Sequence, residues 1–394
     1  MLFKKKMTSV LLASTLAAGF LAGCGGESAG GGSKDDVIKI GANLELSGPV
    51  ASYGQGIAEG IDLAVDEINE AGGIDGKDIK IVKVDNKSDG PEATNAAIKL
   101  TENDQVTAII GSATSGNTVA QAQVANGAET ILLSPSGTSP NVTINEDGSL
   151  NEFVFRTSFI DPFQGTVAAN FAAGDLGVKN VAIFADNASD YAKGLAASFK
   201  ETFEGAGGKV VAEESYVAKD TDFRSTLTRI KSANPEFIFI PGYYEEVGLI
   251  VKQAREMGID VPLMGADGWD SPKLVELAGA DALNNTFITN HYSSGDPDEK
   301  IQSFVKKFGE KYDGKSPDAF NALGYDSVYL LKDAMERAGD TSDASKIKDA
   351  LAETKDLSLV TGIVTVDEDH NPIKSATVLE YKDGEQVFKS KVNP

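Results

Sequence analysis

Short apolar, β-prone runs alternate with segments whose apolar residues recur at helical spacing, and this rhythm constrains the fold more than any other feature of the chain. Such a pattern requires helices covering both faces of a mainly parallel sheet, because parallel neighbours can be joined only through a crossover. Val37 to Ala42 reads as a buried strand. Ile57, Ile61, Val65 and Ile68 then mark a helix that Gly72 and Gly73 stop. Ile79 to Val84, Val106 to Ile110 and Ile131 to Leu133 read as further strands, with helices from Glu92 and after Ser115 between them. Phe153 to Ser158 leads elsewhere, and the series restarts with a helix from Phe163 and the strand Val181 to Phe184. It continues through a helix from Tyr191, the strand Val210 to Glu213, a helix from Phe223, the strand Phe237 to Ile240, a helix from Glu245 and a short strand at Leu263. The expected fold class is α/β, with two doubly wound parallel-sheet lobes. Glu70 to Ile74 (EAGGI) and Glu204 to Val210 (EGAGGKV) close corresponding helices, a likeness too short to prove duplication. The strand Phe287 to Asn290, the helices Glu299 to Tyr312 and Asn321 to Ala338, and strand pairs near Ile363 and Val378 fit neither series. They are expected to cross back between lobes.

Upstream of this pattern, Lys4, Lys5 and Lys6 precede an apolar run from Val10 to Leu21, too short to span about 30 Å of hydrocarbon. Leu21, Ala22, Gly23 and Cys24 follow, the arrangement at which a bacterial lipoprotein is cut and lipidated. Residues 1–23 are therefore expected to be a signal peptide. Residues 24–36 would be a lipidated Cys24 and a Gly/Ser-rich tether, placing the protein outside the cytoplasm and anchored to the cell membrane. The formal charge of −23 repels phosphate backbones, so nucleic acid is excluded as a partner. With one cysteine and only His291 and His370, no metal site and no cofactor are expected.

Three motifs mislead. Gly309 to Ser316 (GEKYDGKS) matches a phosphate-binding loop, yet a helix carrying Phe304 and Phe308 runs into it and Pro317 follows, so Gly314 reads as a helix stop. Gly54, Gly56 and Gly60 have the wrong spacing for a dinucleotide fingerprint and read as a helix start allowing close ligand approach. His370 lies in an Asp-rich turn (DEDHNP) and reads as a solvated histidine; with no GxSxG elbow, an enzyme is not expected.

Open α/β sheets bind ligands beyond the carboxyl ends of their strands. There lie Gly111 to Thr118 (GSATSGNT) and Ser134 to Pro140 (SPSGTSP), two loops rich in hydroxyls and free amides that suit a carboxylate, although Ser and Thr also serve as plain helix caps. In the second series the equivalent loops carry Tyr191, Tyr243, Asp267 and Trp269. An acid facing hydroxyls matches a zwitterion, Asp267 taking the ammonium. Tyr53 and Trp269 could wall the side chain, or Trp269 could simply seal the core.

On these residues the chain resembles the leucine/isoleucine/valine-binding proteins, the class I solute-binding components of branched-chain amino acid ABC importers. The likeness runs from Val37 to about Lys389 through SGPVASYG, AGGIDG, IGSATSG, SPSGTSP, FRTSFIDPFQG, NASDYAKG, PGYYEE and GADGW. It implies the class I periplasmic-binding-protein fold, two lobes joined by a three-strand hinge. The crossings would fall near Arg156 to Phe159, Thr286 to Asn290 and Val360 to Val364. The N-terminal lobe would then hold residues 37–157 and 287–362, and the C-terminal lobe 158–286 and 363–394. By resemblance, Ser115, Ser136 and Thr138 hold the ligand's α-carboxylate and part of its ammonium, Asp267 pairs with the ammonium, and Tyr53, Tyr191 and Tyr243 surround the ligand. Better-known members carry glutamate where this chain has Asp267, and some have a disulfide near the first serine loop that this chain lacks. The expected function is capture of an amino acid, Leu, Ile or Val, between two closing lobes of a monomer and its delivery to the importer's permease subunits. The alternatives are another small solute on the same fold, such as an aromatic amino acid, a short amide or urea, or a sensory receptor module.

Overall fold

Apolar residues on both faces of β1 (Ile38–Leu44) bury six of its seven positions, as a central parallel strand requires. The computed structural model describes residues 37–394, so the leader, Cys24 and the tether lie outside the described residues. After β1 come α1 (Ala51–Glu70), β2 (Ile79–Asp85), α2 (Gly90–Ile98), β3 (Ala108–Gly111), α3 (Ser115–Gly127), β4 (Ile131–Ser134) and β5 (Val154–Arg156). The five strands pair in the order β2-β1-β3-β4-β5, every neighbour parallel.

The second series runs α4 (Asp161–Asn170), β6 (Asn180–Asp186), α5 (Asp190–Gly205), β7 (Lys209–Tyr216), α6 (Arg224–Ser232), β8 (Phe237–Phe239), α7 (Tyr244–Glu256), β9 (Leu263–Gly265), α8 (Pro272–Ala278), α9 (Ala280–Leu283) and β10 (Thr286–Asn290). The chain then makes α10 (Glu299–Lys311), α11 (Ala319–Ala338) and α12 (Ala344–Ala352), with α11 packed along α1 on the first sheet. A small antiparallel sheet of β11 (Leu357–Leu359), β12 (Gly362–Val366) and β13 (Pro372–Ile373) follows, and then β14 (Ala376–Lys382) and β15 (Glu385–Val392). The second sheet has the order β7-β6-β8-β9-β10-β14-β15.

The second sheet is parallel from β7 to β10 and ends in an antiparallel hairpin, β14 and β15, on β10. Three expectations need correction. Residues 287–290, assigned above to the N-terminal lobe, lie in the second sheet, where β10 is wholly buried and parallel to β9. The glycines of α1 serve helix and loop packing instead of ligand approach. A Cβ at Gly60 would lie 1.9 Å from the Asn321 carbonyl oxygen of α11, and one at Gly54 would lie 2.2 Å from that of Glu45. His370 is buried, not solvated; its ring stacks on Phe155 at 3.8 Å and Nδ1 lies 2.9 Å from the Val154 carbonyl oxygen. The reading of Gly314 holds: α10 precedes it, its φ is +83°, and its N–H returns to the Gly309 carbonyl at 2.8 Å.

Candidate functional site

The first-sheet half of the site is built by two buried charges. At the end of β1, Glu45 is fully buried. Its carboxylate accepts from the N–H groups of Ala113 (2.9 Å) and Thr114 (3.1 Å), the Thr114 hydroxyl (2.9 Å) and the Asn117 amide (2.9 Å). An anion at that position caps α3 and fixes the loop that presents Ser115. After β5, the fully buried Arg156 donates to the carbonyls of Gly137 (2.7 Å) and Ser139 (2.9 Å) and to the Thr143 hydroxyl (3.2 Å), shaping the SPSGTSP loop. Burial pulls its pKa down to about 10, opposed by the Asp161 charge, so the guanidinium stays protonated near neutrality. The loops are also stitched to each other. Ser136 donates to the Ala113 carbonyl at 2.8 Å, and Ser115 Oγ accepts the Ser139 N–H at 3.1 Å.

The second half converges on Asp267, just after β9. Its Oδ1 accepts from the Tyr191 hydroxyl (2.8 Å) and the Gln164 amide (3.0 Å), and its Oδ2 lies 3.2 Å from His291 Nε2. Burial lowers the pKa of His291, with Asp267 acting against that shift. Tyr191 stacks on Tyr243 at 5.1 Å, and burial raises both phenols far above their usual range, leaving them as neutral hydroxyls. Asp161, at the start of α4, accepts from the same Gln164 amide at 3.2 Å. Burial, with a contribution from the Asp267 charge, raises its pKa to about 8.

The two halves meet around one pocket. The first half lines it with Tyr53, Ser115, Ser136 and Phe320, and the second with Tyr191, Tyr243, Asp267 and Gly268. The arrangement is closed: Tyr53 donates to the Gly268 carbonyl, Tyr244 to the Pro49 carbonyl at 2.7 Å, and Ser52 and Ser271 hydroxyls meet at 2.8 Å. With hydroxyls at one side and a carboxylate at the other, the pocket has the polarity to hold a dipolar solute.

Six of the eight residues picked from the sequence thus come together, and two do not. Trp269 is fully buried in the core behind the pocket, its indole N–H donating to the Ile240 carbonyl at 2.9 Å. Thr138 does not line the pocket; its carbonyl accepts the Asp161 N–H at 2.9 Å. Sequence reasoning missed Phe320, which stacks on Tyr53 at 4.2 Å, and the supporting Glu45, Arg156, Asp161 and Gln164. Asp161 and Gln164 stand three residues apart on one helix, a spacing that puts both on one face and was a usable signal. Phe320 gave none, since it arrives from α11, far from the loops searched.

A family model described as periplasmic binding protein matches residues 37–386, and the chain belongs to that family. A Pseudomonas aeruginosa relative called leucine-, isoleucine-, valine-, threonine-, and alanine-binding protein is 31% identical over 317 residues, covering 80% of this chain and 82% of the relative. Among solved structures, the leucine binding protein LivK of Thermotoga maritima superposes with a TM-score of 0.85 at 36% identity, covering 91% of this chain and 99% of the other. The branched-chain amino acid transporter substrate binding protein LivJ of Streptococcus pneumoniae, in complex with isoleucine, gives 0.84 at 41% identity over 91% and 100%. The α/β architecture with helix-flanked parallel sheets is thus that of the class I periplasmic binding proteins.

Proposed function

We propose that this protein captures a branched-chain amino acid between its two halves outside the cytoplasm and delivers it to the permease subunits of an ABC importer. The observation that carries this reading is the single pocket lined by Ser115 and Ser136 from one sheet and Asp267 from the other. In the proposed complex the Ser115 and Ser136 loop takes the α-carboxylate, and Asp267, with Asp161 behind it, takes the ammonium. Tyr53, Tyr191, Tyr243 and Phe320 enclose the side chain. An open form docks the solute on the serine loops first; closure then adds Asp267, so differential affinity for the closed form drives the change. Passages of the chain near residues 157–160, 291–298 and 360–375 serve as the hinge. Both halves of the site come from one chain, which suits a monomer. Cys24 carries the lipid anchor after leader removal, with multiple acyl chains at about 0.8 kcal/mol per buried CH₂.

A thermal-shift panel of leucine, isoleucine, valine, phenylalanine, short amides and benzoate tests the reading. A true ligand at 100 times its Kd adds about 2.7 kcal/mol of stability. The proposal fails if only solutes that are not amino acids raise the Tm.

A further inference from the structure

His291 is the first residue beyond β10, where the chain leaves the second sheet for α10. Its ring is buried and stacks at 3.8 Å on Phe159, which lies in the passage from β5 to α4. It also borders a cavity lined by Val360, Thr361 and Gly362, where β11 turns into β12. One side chain thus belongs to, touches or borders each of the three passages that serve as the hinge, and its Nε2 lies 3.2 Å from Asp267 Oδ2 in the pocket wall.

The position of the proton on this ring follows from its neighbours. A carboxylate only accepts, so the nitrogen facing Asp267 carries the hydrogen. Burial favours the neutral ring, against the pull of Asp267, and a neutral imidazole has one N–H, which leaves Nδ1 bare. Nδ1 is buried with no hydrogen-bond partner among the described residues, as a nitrogen without a hydrogen allows. Asp267 is then held at both oxygens, Oδ1 by Tyr191 and the Gln164 amide and Oδ2 by His291. Gln164 is fixed in turn, its Oε1 accepting the Thr289 hydroxyl at 3.0 Å. Two donors on one oxygen leave a carboxylate free to swing about that point. A third donor on the other oxygen sets its plane, and a site held in its productive geometry beforehand binds more tightly.

We propose that His291 is a positioning residue for solute binding: its Nε2–H, kept in place by the stack on Phe159, fixes the plane in which Asp267 meets the ammonium, a role that rests on the amino-acid reading of the pocket. Two variants separate the hydrogen bond from the ring. His291→Phe keeps an aromatic ring against Phe159 and loses the N–H, whereas His291→Gln loses the ring and keeps an amide donor of similar reach. In calorimetry with leucine, isoleucine and valine, the best-bound solute should be weakened about tenfold or more by His291→Phe, and His291→Gln should bind it about fivefold or more tighter than His291→Phe does. Imidazole ¹⁵N spectra of the untagged protein give a readout that needs no variant to fold, because the chain has two histidines. His370 Nδ1 faces the Val154 carbonyl and so carries its proton there, and His291 should show the opposite tautomer. Both rings protonated on Nδ1 alone, a loss below about threefold in His291→Phe, or equal losses in the two variants would overturn the role of His291 and leave the pocket's function standing. Wild type that binds none of the three amino acids would instead sink the functional reading, and this inference with it.

Discussion

The two halves of the amino-acid pocket are made by opposite strategies. On the first-sheet side the charges, Glu45 and Arg156, point away from the pocket and are consumed in holding backbone: the pocket sees hydroxyls and main chain on a fixed loop. On the second-sheet side carboxyl groups themselves face or adjoin the pocket, Asp267 lining it and Asp161, which burial holds protonated near neutrality, sharing the Gln164 amide behind it. The first half is a mould whose failure is a failure of folding. The second is a charge assembly whose failure is a failure of binding or of its pH dependence. That contrast can be broken at specific residues.

The largest effect is expected at Glu45. Replacing it with alanine strands the Ala113 and Thr114 N–H groups and the Asn117 amide in a buried place, at about 1–3 kcal/mol each, so a loss of about 3 kcal/mol or more is predicted. Urea denaturation reads this directly, and a loss below about 1 kcal/mol would show that the loop does not depend on its buried anchor. Asp267→Asn should behave the other way. The fold should persist, because Tyr191 and Gln164 still find an acceptor oxygen, while leucine affinity measured by calorimetry falls about tenfold or more. Unchanged affinity would remove Asp267 from the ligand.

A subtler consequence concerns pH. The folded-state pKa of Asp161 is raised to about 8, so between its unfolded value and about 8 the native state holds a proton that the unfolded state has released. Stability from this group therefore falls as pH rises through that window, by up to about 1.4 kcal/mol per unit, and levels off above it. Asp161→Asn cannot lose that proton. The difference in unfolding free energy between wild type and Asp161→Asn should shift in favour of the variant as pH rises from 5 to 7.5. A difference independent of pH would mean that Asp161 is ionised in the folded protein.

How far the sequence revealed this molecule follows from the same contrast. The central strands of both series were legible because burial on two faces demands continuous apolar runs, as in β1 and β6. The pocket loops were legible because strand ends are where open sheets bind. What escaped depends on long-range partners. Glu45 looks like an ordinary strand-end acid until α3 is placed on it. His370 looks solvated until its ring is seen on Phe155. Trp269 follows Asp267 by two residues and looks equally available, yet the short 3₁₀ turn at Asp267–Trp269 sends one side chain to the pocket and the other to the core.

Phe320 carries the smallest predicted effect and the sharpest test of how the two halves divide selectivity. Its ring lines the pocket and stacks on Tyr53, so it belongs to the mould side, yet it supplies no hydrogen bond to the loops. Phe320→Leu conserves apolar character and should cost less than about 1.5 kcal/mol of stability. It opens room near the side chain of the guest. Because one methylene in an apolar pocket is worth about 1–3 kcal/mol, the affinity ratio of leucine to valine should move, in favour of the larger solute. Competition calorimetry reads that ratio without needing either absolute affinity. If the ratio stays fixed while both affinities fall together, Phe320 merely supports Tyr53, and side-chain discrimination belongs to Tyr191 and Tyr243 on the opposite half.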